Sequence, residues 1–287
     1  MSERSNVVEI HYSEIADRLR CERLHFNKYR RQIFPVGPPS ENMVLGRLWH
    51  KMIQVKHKEG RQAAVDLWEA ETGGVGLAVG DYRWLPAMLD KYSEWYAASA
   101  YRVLLSEREL RVPYAHGLPV DVVVVLVGSI DRLYLDSDGQ YWIGEDKTTA
   151  QFGNRHLLMD KQGLTYTLLA DELGLPVQGM LYVQAKKHNP LDPRTRTDTV
   201  KSYPIPFSED AVGRWAEMLD IVLPQIILER MEAIEKVEPR MLRRFNPLPW
   251  MGCFCDYESE CLGWLNKRDV SELYEWRAKV RDDAREE

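Results

Sequence analysis

The sequence predicts an α/β domain with a mixed central β-sheet flanked by helices from both ends of the chain. Three observations predict it. Apolar residues recur at helical spacing through most of residues 12–99. A stretch rich in Val, Ile, Leu and Tyr then runs from about 102 to 147, broken by turn residues. A helix, two strands and a long helix follow in that order.

Residues 12–31 read as a helix, with Ser13 as N-cap and Ile15, Leu19 and Phe26 as apolar positions. Pro35 to Ser40 is a Pro/Gly loop. Helical spacing resumes at 41–59 through Leu45, Leu48, Trp49, Met52 and Ile53, and again at 61–71 and 82–99. Turn signals at His116-Gly117 and Asp136-Ser-Asp-Gly139 divide the next stretch into three or four strands. The last of these is Tyr141-Trp-Ile-Gly-Glu-Asp-Lys147. A helix at 155–174 and a strand at 178–186 come next, then a polar excursion at 187–198, a strand at 199–206 and a helix at 208–236. A cysteine-rich loop and a charged helix at 271–285 complete the reading. No repeat or long Gly/Ser linker divides the chain, so the expectation is one domain over 1–287. Its parts are an N-terminal helical part (12–100), a core (101–206) and a C-terminal helical part (207–287).

Composition narrows the classes. The chain has 287 residues, 38 Lys and Arg against 44 Asp and Glu, a formal charge of -6 and 45% hydrophobic residues. That apolar fraction excludes wholesale disorder. No run reaches the roughly 18 apolar residues of a membrane-spanning helix, and the longest, Val122 to Val127, has strand length. The polar start Met1-Ser-Glu-Arg-Ser5 lacks the apolar region of a secretory signal, which predicts a cytoplasmic protein without a membrane partner. The acidic average argues against a nucleic-acid partner, but local clusters overrule an average. Six basic residues lie between Arg18 and Arg31, five at Lys186, Lys187, Arg194, Arg196 and Lys201, and three at Arg240, Arg243 and Arg244. Each can track a phosphate backbone or be a solvated face.

Three of the four cysteines cluster as Cys253-x-Cys255-x5-Cys261, and the fourth is Cys21. Disulfides are rare in a reducing cytosol, so such clustering points to a metal rather than a cross-link. A metal shared with Cys21 would tie the terminal helical elements together.

The stretch that carries chemistry is Gly128-Ser-Ile-Asp131 followed by Ile143-Gly-Glu145-Asp146-Lys147-Thr148. In adjacent antiparallel strands Asp131 and Glu145 can lie opposite each other, and alternation puts Glu145 and Lys147 on one face. Two carboxylates and an ammonium there make a hard-oxygen site for Mg²⁺ or Mn²⁺, with the lysine able to steer a water or meet phosphate charge. The alternative is a surface acid paired with Arg132 and a solvated Glu145–Lys147 pair. Gln162 and Tyr166, four apart on one helix face, can reach the same site or a nucleic-acid backbone, or serve as amphipathic packing.

Together these residues resemble the PD-(D/E)XK nuclease superfamily, whose core motif is similar to Asp131 and Glu145-x-Lys147. Gly46-Arg-Leu-Trp-His50 resembles the G-x-x-x-H motif of its RecB-like branch, and Gln162-Gly-Leu-Thr-Tyr166 the Q-x-x-x-Y motif. One early and three late cysteines resemble the iron–sulfur subset, which includes the AddB nuclease domain and exonucleases associated with CRISPR adaptation. The family's usual C-x2-C-x5-C is here Cys253-x-Cys255-x5-Cys261.

The resemblance covers about residues 12–262 and implies a restriction-endonuclease-like core. It implies His50, Asp131, Glu145 and the Asp146 carbonyl as metal ligands and Lys147 as a catalytic residue beside Asp131 and Glu145. It further implies Gln162 and Tyr166 as substrate-positioning residues, and a 4Fe-4S cluster on Cys21, Cys253, Cys255 and Cys261. A structural Zn²⁺ on the same thiolates is the alternative. The implied function is a Mg²⁺- or Mn²⁺-dependent deoxyribonuclease, an exonuclease on single-stranded or end-bearing DNA. Its partners would be DNA and a helicase, recombination or CRISPR-adaptation protein. The alternatives are a non-catalytic DNA-binding or scaffold subunit, or a zinc-stabilised adaptor.

Overall fold

A computed structural model describes residues 7–37, 39–73, 83–114, 122–187, 198–237, 257 and 273–276. In chain order the elements are β1 (Val7–His11), α1 (Tyr12–Arg20), α2 (Glu22–His25), β2 (Ile33–Pro35), α3 (Glu41–Glu59) and α4 (Arg61–Thr72). There follow α5 (Leu85–Ala98), β3 (Arg102–Tyr114), β4 (Val123–Leu135), β5 (Tyr141–Thr149), α6 (Lys161–Glu172), β6 (Val177–Lys186), β7 (Val200–Pro206), α7 (Glu209–Met231) and β8 (Tyr274–Trp276). They fall into two compact units, one from Met1–Pro38, Pro113–Val125 and Glu217–Glu287, the other from Pro39–Val112 and Leu126–Ala216. No helix among the described residues is long and apolar enough to cross a membrane.

The Pro39–Val112/Leu126–Ala216 unit is the α/β core. Its mixed sheet is ordered β4-β5-β6-β7, with β3 pairing with β4. The β4–β5 hairpin closes as its sequence dictates: Asp136 Oδ1 accepts from the backbone N–H of Asp138 (2.9 Å) and Gln140 (2.8 Å). From that turn the antiparallel ladder runs from Leu135–Tyr141 to Arg132–Gly144. β5 and β6 run parallel, which demands a crossover, and α6 supplies it. β7 returns antiparallel to β6.

Helix α3 follows its sequence pattern. Ser40 caps it by accepting from the Met43 N–H at 3.4 Å, and Gly60 ends it at φ 97°. Leu45, Leu48, Trp49, Met52 and Ile53 form the i, i+3, i+4, i+7, i+8 stripe. This stripe packs with residues of α4 and α5 against Tyr134, Leu181, Val183 and Ala185 of the sheet. Burial of each such side chain contributes about 1.5–3 kcal/mol. The opposite side of β6 meets α6. The predicted 155–174 helix begins only at Lys161, because the Asp160 carboxylate accepts from the Gln162 N–H (3.0 Å) and caps it there. A 3₁₀ turn at Leu157–Met159 precedes it.

The other unit corrects two expectations. The predicted 12–31 helix breaks at Cys21, whose backbone is extended (φ -163°, ψ 121°). Beyond α2 a π-helical turn spans Phe26–Arg30. The break has a cause in side-chain chemistry. His25 Nε2 lies 3.1 Å from Glu14 Oε1, and Lys28 Nζ 2.7 Å from Asp17 Oδ2. Each pair is 11 residues apart, which one straight helix would separate by about 16 Å. The second correction is the predicted 271–285 helix: Tyr274–Trp276 is a strand, paired antiparallel with Ile33–Pro35. Local charge pattern lost to a long-range pairing there, and residues 271–272 and 277–285 lie outside the described residues, as does the His116-Gly117 turn.

Within the same unit, Arg18 is 4% exposed and grips Glu229 twice, through Nη1 (3.0 Å) and Nη2 (2.8 Å). Arg230 pairs with Glu14, and Arg30 donates to the carbonyls of Arg230 (2.8 Å) and Glu232 (2.5 Å). Removing one partner of a buried pair strands the other's charge. Arg18→Ala is therefore expected to lower the free energy of unfolding by about 3–5 kcal/mol in urea titrations. The Arg18→Ala/Glu229→Ala double variant should lose less than the sum of the two single variants. Additive losses would show that the pair is not coupled.

Candidate active site

The β4–β5 ladder's last pair is Arg132–Gly144, and Asp131 and Glu145 stand at the next step. Here a side chain takes over from the backbone: the Asp146 N–H donates to Asp131 Oδ2 at 2.9 Å. Alternation sends Glu145 and Lys147 to one side of the sheet and Asp146 to the other. Asp146 forms an ion pair with Arg132, both 1% exposed. The Asp146 side chain is thus turned away from Glu145, while its backbone stays beside Asp131.

His50 of α3 brings Nδ1 to 3.3 Å from Asp131 Oδ2. Lys147 Nζ donates to Glu145 Oε1 at 2.6 Å and to Gln162 Oε1 at 3.2 Å. Gln162 Nε2 donates to Glu145 Oε1 at 3.2 Å and to Tyr166 Oη at 3.3 Å. The structure therefore brings His50, Asp131, Glu145, Lys147, Gln162 and Tyr166 into one connected set. The Lys147 and His50 side chains are 38% and 33% exposed, against 7% for Glu145, so solvent reaches the set past the lysine and the histidine.

Two glycines let α6 come this close. A Cβ on Gly163 would sit 2.8 Å from both Met180 Cγ and Tyr182 Oη, and one on Gly128 would sit 2.7 Å from Tyr166 Cε1. Gly46 differs. A Cβ there would meet no atom within 4 Å among the described residues, so packing among those residues does not demand glycine one turn before His50.

Burial pushes the Glu145 carboxyl up to about 7, and the nearby Asp131 charge adds to it while Lys147 opposes. His50 is lowered by burial but raised more by its hydrogen bond to Asp131 and by the charges of Asp131 and Glu145, for a net rise. Burial likewise works against the Lys147 ammonium, yet Glu145 holds its pKa above the ordinary value. Among the described residues no three His, Cys, Asp or Glu side chains stand in an arrangement that could hold a metal ion. Glu145 Oε1 and Asp131 Oδ2 are engaged by Lys147, Gln162, His50 and the Asp146 N–H instead. What does fit a divalent cation is the charge pattern: two hard-oxygen carboxylates crowded so that one resists ionisation.

Other predicted residues are placed elsewhere or lie outside the described residues. Cys21 is half-buried beside a cavity of about 380 Å³ lined with Arg18, Arg20, Val222 and Gln225. Cys253, Cys255 and Cys261, with Arg194, Arg196, Arg240, Arg243 and Arg244, lie outside the described residues. Within the Arg18–Arg31 cluster Arg18 and Arg23 are buried and Arg30 caps carbonyls, while Arg20 is exposed.

Sequence reasoning missed Asp160, which receives the Tyr182 hydroxyl at 2.7 Å and raises the Lys147 pKa. It also missed Gln184, which clamps Gly153. The N-cap position before Gln162 was the available signal for Asp160. Gln184 had none.

Among solved structures the chain is similar to one described as "Crystal structure of SSO0001", at 14% identity and a TM-score of 0.35, covering 91% of this chain and 88% of that one. No curated protein matches. The match that decides the family spans nearly the whole chain: the PD-(D/E)XK nuclease superfamily model covers residues 10–261. Asp131 and Glu145-x-Lys147 stand inside that span, at the end of a hairpin and beside the crossover helix, and the chain belongs to the PD-(D/E)XK nuclease superfamily.

Proposed function

We propose that the chain is a metal-dependent DNA nuclease of the RecB-like branch. It would act as an exonuclease on single-stranded or end-bearing DNA and carry a structural 4Fe-4S cluster. One observation carries the catalytic reading: Asp131, Glu145 and Lys147 converge where the β4–β5 ladder ends, joined to Gln162 and reachable from solvent. Asp131, Glu145, His50 and the Asp146 carbonyl would hold Mg²⁺ or Mn²⁺. Such an ion, when bound, makes its water nucleophilic near neutral pH and stabilises charge at phosphorus.

The chain's own residues do the rest. Lys147 keeps its proton and offers Nζ to the water or to a phosphate oxygen. Gln162, bonded to Glu145 and Lys147 at once, fixes their separation, and Tyr166 fixes Gln162. Helix α6 is thereby the element that orients the strand to be cut.

Glu145→Ala and Lys147→Ala should each slow cleavage of end-labelled DNA by about 10²–10⁴-fold with Mg²⁺ or Mn²⁺. Circular DNA should resist the wild type. Cleavage by Glu145→Ala at the wild-type rate would sink the assignment, and DNA retention without any cutting would point to a non-catalytic binding subunit.

The pH dependence of metal binding has a definite sign. With its pKa raised to about 7, Glu145 holds a proton below that value, and the ion must displace it. Mn²⁺ affinity by calorimetry should rise at least tenfold per pH unit up to about 7, with His50, also raised, giving the ion a second proton to displace. Metal-free stability moves the other way. The raised pKa stabilises the protonated form, so that contribution is lost as pH rises from 4.5 through 7. Affinity flat across pH 5–8 would remove Glu145 from the ligand set.

The cluster reading rests on the spacing of Cys253, Cys255 and Cys261 and on Cys21 standing at a helix break beside a cavity. Protein purified without oxygen should be brown and lose its visible absorption on Cys21→Ala or Cys255→Ala. Colourless protein with stoichiometric zinc would replace the cluster with Zn²⁺.

A further inference from the structure

The segment between the two halves of the site, residues 150–160, is anchored and chemically distinctive. It starts three residues after Lys147 and ends just before Gln162. Gln184, 2% exposed on β6, clamps it like a peptide unit: Nε2 donates to the Gly153 carbonyl at 2.7 Å and Oε1 accepts from the Gly153 N–H at 3.1 Å. Gln184 is the Cα partner of Lys147 across the parallel ladder and shares its side of the sheet. With strands about 4.8 Å apart, one side-chain reach puts Gly153 within roughly 10 Å of Lys147.

Beside that clamp, Phe152 carries two ammonium groups against its ring, Lys201 Nζ at 5.3 Å and Lys186 Nζ at 6.0 Å from the centroid. Lys201 also pairs with Asp198 at 3.0 Å, and the neighbouring Lys187 donates to Asn42 at 2.7 Å. Further along the segment, Leu158 and Met159 are 54% and 78% exposed. Its one acid, Asp160, is turned inward to Tyr182. In a chain of net charge -6, this is an aromatic ring between cations with apolar side chains beyond it.

We infer that Phe152, with Lys186 and Lys201, is a binding station for one unpaired base next to the phosphate at Lys147. The inference rests on the nuclease reading and adds a subsite to it. The ring supplies a stacking face that any base can use, and the lysines trade the ring for the flanking phosphates as the base arrives. The station accepts single-stranded DNA of any sequence, because stacking reads no hydrogen-bonding edge.

Binding in calcium with an oligothymidylate and with an abasic oligonucleotide of equal length separates base from backbone. Phe152→Ala should weaken oligothymidylate binding about tenfold and leave abasic binding unchanged, and Phe152→Trp should restore it. Unchanged abasic binding also shows that the variant is folded. Lys186→Ala with Lys201→Ala should lower the salt slope of log Kd by about 1.4, the value for two phosphate contacts on a single strand. Equal loss on both oligonucleotides, or none on either, overturns the station. If the wild type cuts end-labelled DNA while Phe152→Ala binds like wild type, the station alone falls. If the wild type neither binds nor cuts DNA, the nuclease reading falls with it.

Discussion

The buried ion pair between Arg132 and Asp146 fixes which face of β5 each of its residues occupies, and the candidate site depends on that choice. A strand has a side-chain period of two, so a slip of one residue exchanges its faces completely. Such a slip would turn Glu145 and Lys147 toward the apolar layer formed by α3, α4 and α5, and turn Asp146 toward α6. Arg132 cannot follow without losing its partner inside that layer, where an unpaired charge costs several kcal/mol. The guanidinium is further held by Tyr134 Oη at 3.2 Å, and Tyr134 by Tyr92 at 3.4 Å. A buried pair of this kind adds little net stability, whereas removing one partner is costly.

From that register the rest of the site follows. Gly144 ends the ladder, Asp131 takes the Asp146 N–H, and the two carboxylates are left beside each other, with Lys147 against Glu145 and His50 against Asp131. Burial makes the balance incomplete, which is why Glu145 resists ionisation while Lys147 keeps its proton. Two carboxylates crowded in this way favour the approach of positive charge. Gln162 offsets this only slightly, since a neutral amide donates a hydrogen bond and no charge.

Much of this was legible in the sequence, and the parts that were not share a cause. Helix α3 matched its predicted bounds because Ser40, Gly60 and the Leu45–Ile53 stripe are all local signals. The β4–β5 hairpin was legible for the same reason, through Asp136 and its turn. The acid, the Glu-x-Lys triplet and Gln162 could be placed because strand and helix periods are fixed, and His50 through its resemblance to the G-x-x-x-H motif. The break at Cys21 could not, because it is set by Glu14 receiving His25 and Asp17 receiving Lys28. Nor could β2 and β8, which exist only as each other's partner. Gln184 reads as an ordinary strand residue until its amide is seen against Gly153.

The Arg18–Arg31 cluster bears on how an acidic protein meets a polyanion. Of the three basic clusters in the sequence, this one holds the most residues, six. In the fold Arg18 and Arg30 are committed to Glu229 and to helix-end carbonyls, and Arg23 is 1% exposed. Guanidinium groups used this way cannot release counterions from a phosphate backbone, since their charge is already matched or out of reach. Lys147 stands beside the carboxylates, Lys186 and Lys201 lie on β6 and β7, and Lys187 lies just beyond β6. Lysine suits that position better than arginine. Its ammonium moves on a flexible stem and leaves an aromatic ring without losing a bidentate partner. Arg18 and Arg30 thus hold the fold, while the lysines beside Phe152 make contacts that an incoming phosphate can replace.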